Sequence, residues 1–348
     1  MSKNIRIGIT QGDINGIGYE VILKVLADSR VFDDRTFIIY GSSKVAAFHK
    51  KTLNIETANL NLVKSAREAQ SKKANIINCV DNNIRVEIGL STSAAGQASI
   101  AALNCAVSDL KDNLIDVIVT APINKKNIND EGFNFPGHTE FFASQFNAKD
   151  HLMLLVSDTI RAGVVTGHVP ISEVPGLLTS KLIEDKIMIL NSTLIQDFGI
   201  RKPRIAVLGL NPHAGDQGLL GKEEIDVIKP AIDAVKNKNI FAFGPFPADG
   251  FLGSLEYLKY DAVLGMYHDQ LLIPFKVLAF DDGVNYTAGL SIIRTSPDHG
   301  TGFEIAGQNK ASENSMRAAI DLAEDIFYNR KNISELKANQ LKPQKIEE

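Results

Sequence analysis

The sequence predicts an α/β protein built around a largely parallel sheet, and three observations carry that prediction. Short β-rich runs alternate with longer segments of helical periodicity along the chain. The runs end in small polar or charged residues, the positions at which parallel α/β sheets meet their ligands. The length, 348 residues, exceeds one ordinary core and suits about two domains.

In chain order, the runs that read as strands are Ile5–Thr10, Thr36–Tyr40, Val117–Thr120, His151–Val156, Ala162–Thr166, Arg204–Leu210 and Ala262–Met266. Helical patterns fall at Ala94–Asp112, Ser180–Asp197, Glu223–Lys236 and Met316–Asn329. In the last, Met316, Ala319, Ile320, Ala323, Ile326 and Phe327 recur at helical spacing and mark a buried face. The tail after Asn329, rich in Lys, Asn, Gln and Glu, reads as a solvated helix end that frays. Five strand endings lead into polar motifs: Gln11-Gly12-Asp13, Ala121-Pro122-Ile123-Asn124-Lys125, Gly167-His168, Asn211-Pro212-His213 and Tyr267-His268-Asp269. If all five lie on one edge of the sheet, they feed a single cleft.

Composition narrows the function. Hydrophobic residues are 44% and charged residues 22%, the balance of a soluble globular protein. A net charge of -4 argues against a nucleic-acid binder. Cys79 and Cys105 have no metal-like spacing, and fit a reducing cytoplasm without a disulfide framework. No apolar run approaches the ~20 residues of a membrane span, and no secretory signal is seen, so no membrane association and a cytoplasmic location are expected.

The chemistry concentrates between Asp261 and Gly307, where small polar and charged residues crowd between strand-like segments. His168, His213 and His268 each follow a strand-like run, and three neutral imidazoles with an open position describe a catalytic divalent-metal site. Zinc is the first expectation, with magnesium and cobalt as alternatives. Asp249 or Asp269 would orient a ligand or act as a fourth one. Lys276, Asn285 and Arg294 form an anion-binding group suited to phosphate or carboxylate. Thr139 reads either as a helix N-cap or as a ligand contact, two roles that are compatible. The turn Gly12-Asp13-Ile14-Asn15-Gly16-Ile17-Gly18 matches neither the dinucleotide fingerprint nor a P-loop. It is either a tight strand-to-helix turn or a cradle of N–H groups with Asp13 aimed into the cleft.

Taken together, the motifs GDINGIG, TAPINK, FPGHTEF, VTGHVP, LGLNPHAGDQG, GPFPADG, MYHDQ and GVNYTAGLSIIRTSPDHGT resemble, in order, those of the PdxA family, the 4-hydroxythreonine-4-phosphate dehydrogenases of pyridoxal phosphate biosynthesis. The resemblance implies that His168, His213 and His268 hold the metal and that His138, Thr139, Lys276, Asn285 and Arg294 bind substrate. It also implies a homodimer whose active site lies at the subunit interface, with the third histidine reaching across from the partner. His299-Gly300-Thr301-Gly302-Phe303-Glu304-Ile305-Ala306-Gly307 is similar to the HGSAPDIAG loop of the isocitrate and isopropylmalate dehydrogenases. By that similarity His299, Gly300, Thr301 and Glu304 would contact NAD or NADP.

The implied fold is two α/β/α domains with a cleft between them, isocitrate/isopropylmalate dehydrogenase-like. Residues 1–133 and 283–348 would form the first domain and residues 134–282 the second. The implied reaction is NAD(P)-dependent oxidation of 4-phosphohydroxy-L-threonine to a 3-oxo acid that decarboxylates to 3-amino-2-oxopropyl phosphate. Ile14 and Asn15 stand where the family often has Pro and Ala, and Gly167 where Thr is common. These departures leave open another phosphorylated hydroxy acid, such as phosphothreonate or phosphoerythronate. From other classes, a metal-dependent phosphohydrolase would want more carboxylate ligands, and a non-catalytic binding protein need not keep every ligand.

Overall fold

The strands are β1 (Ile5–Thr10), β2 (Arg35–Gly41), β3 (Leu60–Val63), β4 (Ala74–Asn78), β5 (Val117–Thr120), β6 (Leu152–Val156), β7 (Arg161–Val164), β8 (Arg204–Leu208), β9 (Phe241–Phe246), β10 (Ala262–Gly265), β11 (Val284–Ala288) and β12 (Arg294–Pro297). The computed structural model describes residues 4–81, 83–131, 133, 135 and 137–339. Asn134, the first residue of the expected second domain, and the tail from Gln340 lie outside the described residues.

All strands join one 12-stranded sheet in the order β3-β4-β2-β1-β5-β12-β11-β6-β7-β10-β8-β9. The α/β class is therefore as expected. The seven expected strands are present, and helices cover Ser93–Lys111, Ser180–Gln196, Lys229–Lys236 and Asn314–Ala338. A π-helical turn, Glu224–Ile228, precedes the third of these, whose Pro230 has no N–H to donate. The last helix runs on to Ala338, well past Asn329, and buries the face formed by Met316, Ala319, Ile320, Ala323 and Ile326.

Strand direction differs from the expectation of five endings on one edge. β1, β5 and β12 are parallel to one another, but β11 is antiparallel to both β12 and β6, and β6 is antiparallel to β7. β7, β10 and β8 therefore run opposite to β1 and β5. The turns after β1 and β5 leave the sheet at one end, and the three histidine loops leave it at the other. Residues 157–160 and 289–293 are too few for a crossover, so the strands they join form antiparallel pairs; these two reversals would cancel, and the antiparallel β11–β6 pairing leaves the two halves opposed.

The pleat assigns alternate residues to opposite faces. On one face a single apolar cluster extends across both halves of the sheet. It takes Ile5, Ile7 and Ile9 from β1, Leu154 and Val156 from β6, Val284, Tyr286 and Ala288 from β11, and the buried side of the last helix. The other face carries two separate clusters. One contains Ile38, Tyr40 and Ile118, and the other Leu155, Ala162, Val164 and Leu208. Between them, over β12 and β11, the residues on this face are polar: Arg294 and Ser296, Asn285 and Thr287, with Thr120 beside them at the end of β5. That gap positions the site.

Leu154 is fully buried where the antiparallel strands join the two halves. Leu154→Ala is expected to cost about 2–5 kcal/mol through lost transfer energy and the cavity left behind. Chemical denaturation would show this as a lower midpoint; an unchanged midpoint would mean that the join is not under packing constraint.

Candidate active site

Alternation along β11 and β12 turns Asn285, Thr287, Arg294 and Ser296 to the gap face, with Asn285 opposite Ser296. Thr120 at the end of β5 and Met153 on β6 complete the floor of a cavity of about 350 Å³. The helices His138–Gln145 and His268–Leu278 wall it. His268, Leu272 and Lys276, spaced along one side of the second helix, all face inward.

Arg294 organises this floor. It is 2% exposed. Its guanidinium donates to Thr120 Oγ1 at 2.8 and 3.1 Å, to Ser296 Oγ at 2.9 Å, to His138 Nδ1 at 3.1 Å and to Thr287 Oγ1 at 3.2 Å. Every partner is neutral, and among the described residues no carboxylate pairs with it. Burial pushes its pKa down to about 9, against the field of Glu140, so the group stays charged at neutral pH. A buried cation without a counter-ion is costly, and a bound anion would remove much of that cost.

His138 extends the argument. Its Nδ1 accepts from Arg294, which places the ring hydrogen on Nε2. That Nε2 is buried with no hydrogen-bond partner among the described residues, as is Asn285 Oδ1. Burial, followed by the charges of Arg294 and Lys125, holds the His138 pKa well below the ordinary histidine value. Thr139 Oγ1 lies 3.4 Å from Thr287 Oγ1. The helix is capped by Gly137 in extended backbone, not by Thr139, so the capping alternative for Thr139 is not realised. Lys276 Nζ sits at the mouth, 3.0 Å from Asp298 Oδ2 and 2.9 Å from the Asp298 carbonyl.

Two of the three candidate metal histidines meet. The His168 and His268 rings lie 5.5 Å apart between centroids and both face the cavity. Asp269 Oδ1 is 2.7 Å from His268 Nδ1. Donation from that nitrogen leaves Nε2 as a free lone pair, the usual arrangement of a metal-ligating imidazole. Burial lowers the His168 pKa, with the charges of Lys125 and His268 adding to the effect, which favours the neutral ring. His213 does not join them. It is exposed on the Pro212–Gly218 loop with φ of 53°, and among the described residues no three His, Cys, Asp or Glu side chains of one chain form a metal-holding group. Asp249 is also exposed; its helix, Ala248–Gly253, packs on the His213 loop.

The candidate cofactor residues divide. His299 and Gly300 line the cavity, and His299 Nε2 is buried without a partner among the described residues. The Thr301 carbonyl accepts from the Ile17 N–H at 2.9 Å, and Glu304 is exposed. A Cβ at Gly16 would stand 2.6 Å from the Thr301 oxygen, so this close approach requires glycine. Gly12 has φ of 69°. Asp13 is spent internally, accepting from Asn15 N at 2.9 Å and Asn127 Nδ2 at 2.8 Å. The Gly12–Gly18 segment is thus a buried turn with its N–H groups largely satisfied by protein, and the anion-cradle alternative is not what forms.

Thr120, Thr287 and Ser296 are site residues that the sequence reading missed, as is Glu140, which lines the cavity beside Thr139. The signal for Thr287 and Ser296 is their spacing of two from Asn285 and Arg294, which becomes informative once those segments are recognised as strands.

Residues 33–323 match the family model described as pyridoxal phosphate biosynthetic protein PdxA. The 4-hydroxythreonine-4-phosphate dehydrogenase of Bacteroides thetaiotaomicron is 50% identical, over 100% of this chain and 96% of that one. The enzyme of the same name from Aquifex aeolicus is 40% identical over 93% and 99%. The crystal structure of 4-hydroxythreonine-4-phosphate dehydrogenase from Klebsiella pneumoniae superposes with a TM-score of 0.82 at 35% identity, covering 94% of this chain and 98% of that one.

The tautomer and depressed pKa of His138 can be checked directly. Its imidazole is expected to show no titration as pH falls through 6.5 in a nitrogen-detected NMR experiment, whereas the unfolded chain takes up that proton. The unfolded state then binds more protons, so this residue removes stability as pH falls below the ordinary histidine value. A normal titration curve for His138 would contradict the buried donor assigned to its Nε2.

Proposed function

The chain belongs to the PdxA family of pyridoxal phosphate biosynthetic proteins, and on that premise we propose that it is a dehydrogenase acting on 4-phosphohydroxy-L-threonine. The product would be a 3-oxo acid that loses carbon dioxide to give 3-amino-2-oxopropyl phosphate. The observation that carries this reading is Arg294, a buried cation with neutral partners, beside an unpartnered imidazole N–H and the facing rings of His168 and His268. The site calls for an anionic small molecule next to a Lewis acid.

In this reading Arg294, His138 through Nε2–H, Thr139, Lys276 and Asn285 anchor the phosphate and carboxylate ends. His168 and His268, with His213 from a second copy, would hold a divalent cation, zinc by its preference for imidazole. When bound, that cation supplies Lewis-acid polarisation of the hydroxyl being oxidised. NAD or NADP, held near His299, Gly300, Thr301 and Glu304, supplies the hydride acceptor. Asp269 fixes the His268 ring, and the closed floor around Arg294 keeps the anchored end away from water. Two features support a shared site in a homodimer. His213 is exposed on its loop, and His168 and His268 also border a second hollow of about 250 Å³ next to the exposed side chain of Ile171.

Three outcomes are expected. Reduced-nicotinamide absorbance should appear with NAD⁺, a divalent metal and 4-phosphohydroxy-L-threonine, and vanish on chelation. Signal only with phosphothreonate or phosphoerythronate would reassign the substrate, and phosphate release without nicotinamide reduction would point to a hydrolase. Arg294→Ala should lower kcat/KM by roughly 10- to 150-fold, the worth of a charged hydrogen bond, mainly through KM; an unchanged KM would remove Arg294 from the anchor. His168→Ala and His213→Ala should each be inactive, yet regain roughly a quarter of wild-type turnover when unfolded together and re-paired, because one heterodimer site is then intact. No recovery would argue against a site shared between copies.

A further inference from the structure

We propose that Arg330, Asp197 and Tyr286 form a positioning network that holds the β11–β12 hairpin in register from behind the sheet, and so sets the geometry of the anion anchor. The inference rests on the substrate-anchoring role given above to Asn285 and Arg294. The hairpin has little register of its own, since β11 and β12 pair only through Val284–Pro297, Asn285–Ser296 and Tyr286–Thr295. A one-residue slip in so short a ladder would turn the side chains of the slipped strand, Asn285 and Thr287 or Arg294 and Ser296, away from the cavity.

Tyr286 lies between Asn285 and Thr287 and therefore points to the opposite face. There its fully buried hydroxyl donates to Asp197 Oδ2 at 2.6 Å and accepts from Arg330 Nη2 at 3.0 Å. Arg330 also donates through Nε to Asp197 Oδ1 at 2.6 Å. The same guanidinium reaches the turn of the hairpin, donating to the Ser291 carbonyl at 3.1 Å and the Leu290 carbonyl at 3.3 Å. One side chain on the last helix thus grips the hairpin at mid-strand and at its turn. Asp197 anchors the grip from the end of the Ser180–Gln196 helix, where its carbonyl also accepts from Asn329 Nδ2 at 2.8 Å. None of these groups lines the cavity, so any effect on the reaction must pass through the hairpin.

Tyr286→Phe removes one hydroxyl and keeps the ring; Arg330→Met keeps the apolar stem and removes the fork. In the full-length, metal-loaded protein, each is expected to raise KM for the phosphorylated substrate by about tenfold, with kcat and KM for NAD⁺ within about twofold of wild type. A merely structural role would lower the melting temperature and the active fraction, and hence kcat, while leaving KM unchanged; that result overturns the proposal. A second readout needs no turnover: the His138 nitrogen resonances, set by the Arg294 contact at 3.1 Å, should shift in Tyr286→Phe. Unshifted resonances overturn the proposal as well. If wild-type protein does not turn over 4-phosphohydroxy-L-threonine, the functional reading fails by itself, and the resonances alone decide the positioning role.

Discussion

The structure depends on one constraint: a guanidinium buried at the centre of a sheet must be satisfied. Arg294 meets it with three hydroxyls and an imidazole rather than a carboxylate. Neutral acceptors satisfy the hydrogen-bonding requirement but do little for the net charge. An ion pair at this position would have closed the site. Leaving the charge uncompensated keeps the floor receptive to an anion, at a cost to stability that the two-sided apolar packing offsets.

The location of that charge follows from strand direction. Two parallel half-sheets of opposite sense must be joined by an odd number of antiparallel pairings, and here β11 and β6 provide three in succession. At the join the apolar cover on one face divides into two clusters, and the space between becomes the cavity. The loops carrying His168 and His268 reach it from the far half, while the end of β12 and the following loop reach it from the near half. The site is therefore assembled from both halves even though the endings of β1 and β5 do not share an edge with those of β7, β8 and β10.

Much of this was legible in the sequence, for physical reasons that vary by element. β1, β5 and β6 were recognisable because burial on both faces makes them nearly continuous apolar runs. β12 was not, because Arg294, Thr295 and Ser296 are consecutive polar residues followed by a proline, and β11, though Val284–Ala288 alternates as a strand does, is only five residues long. The antiparallel β6–β7 pair was available in principle from the shortness of residues 157–160, but the opposed sense of the two halves was not, since it also rests on the pairing of β11 with the distant β6. His138, Lys276, Asn285, Arg294, His168 and His268, which the structure brings to one cavity, could be singled out because each lies in a short polar motif. Thr120 and Glu140 were passed over because a threonine or glutamate inside a motif has a common structural explanation. The separation of His213 from His168 and His268 was beyond periodicity or spacing, since it depends on where a loop points.

That separation bears on how assembly and chemistry would be coupled. A single chain presents two facing imidazoles, and for one of them Asp269 already fixes the ring orientation. Two such ligands bind a divalent cation far less firmly than three. On the shared-site reading, metal affinity rises only when a second copy brings His213, so an isolated chain would have its anion anchor formed but lack the full Lewis-acid centre. The exposed Ile273, Val277 and Phe280 lie on or just beyond the helix that carries His268. Burial of these side chains between copies would supply the driving force for association, and the same helix would carry the effect to the metal ligands. Stability of the dimer and occupancy of the metal site would then be one equilibrium, with each raising the other by mass action.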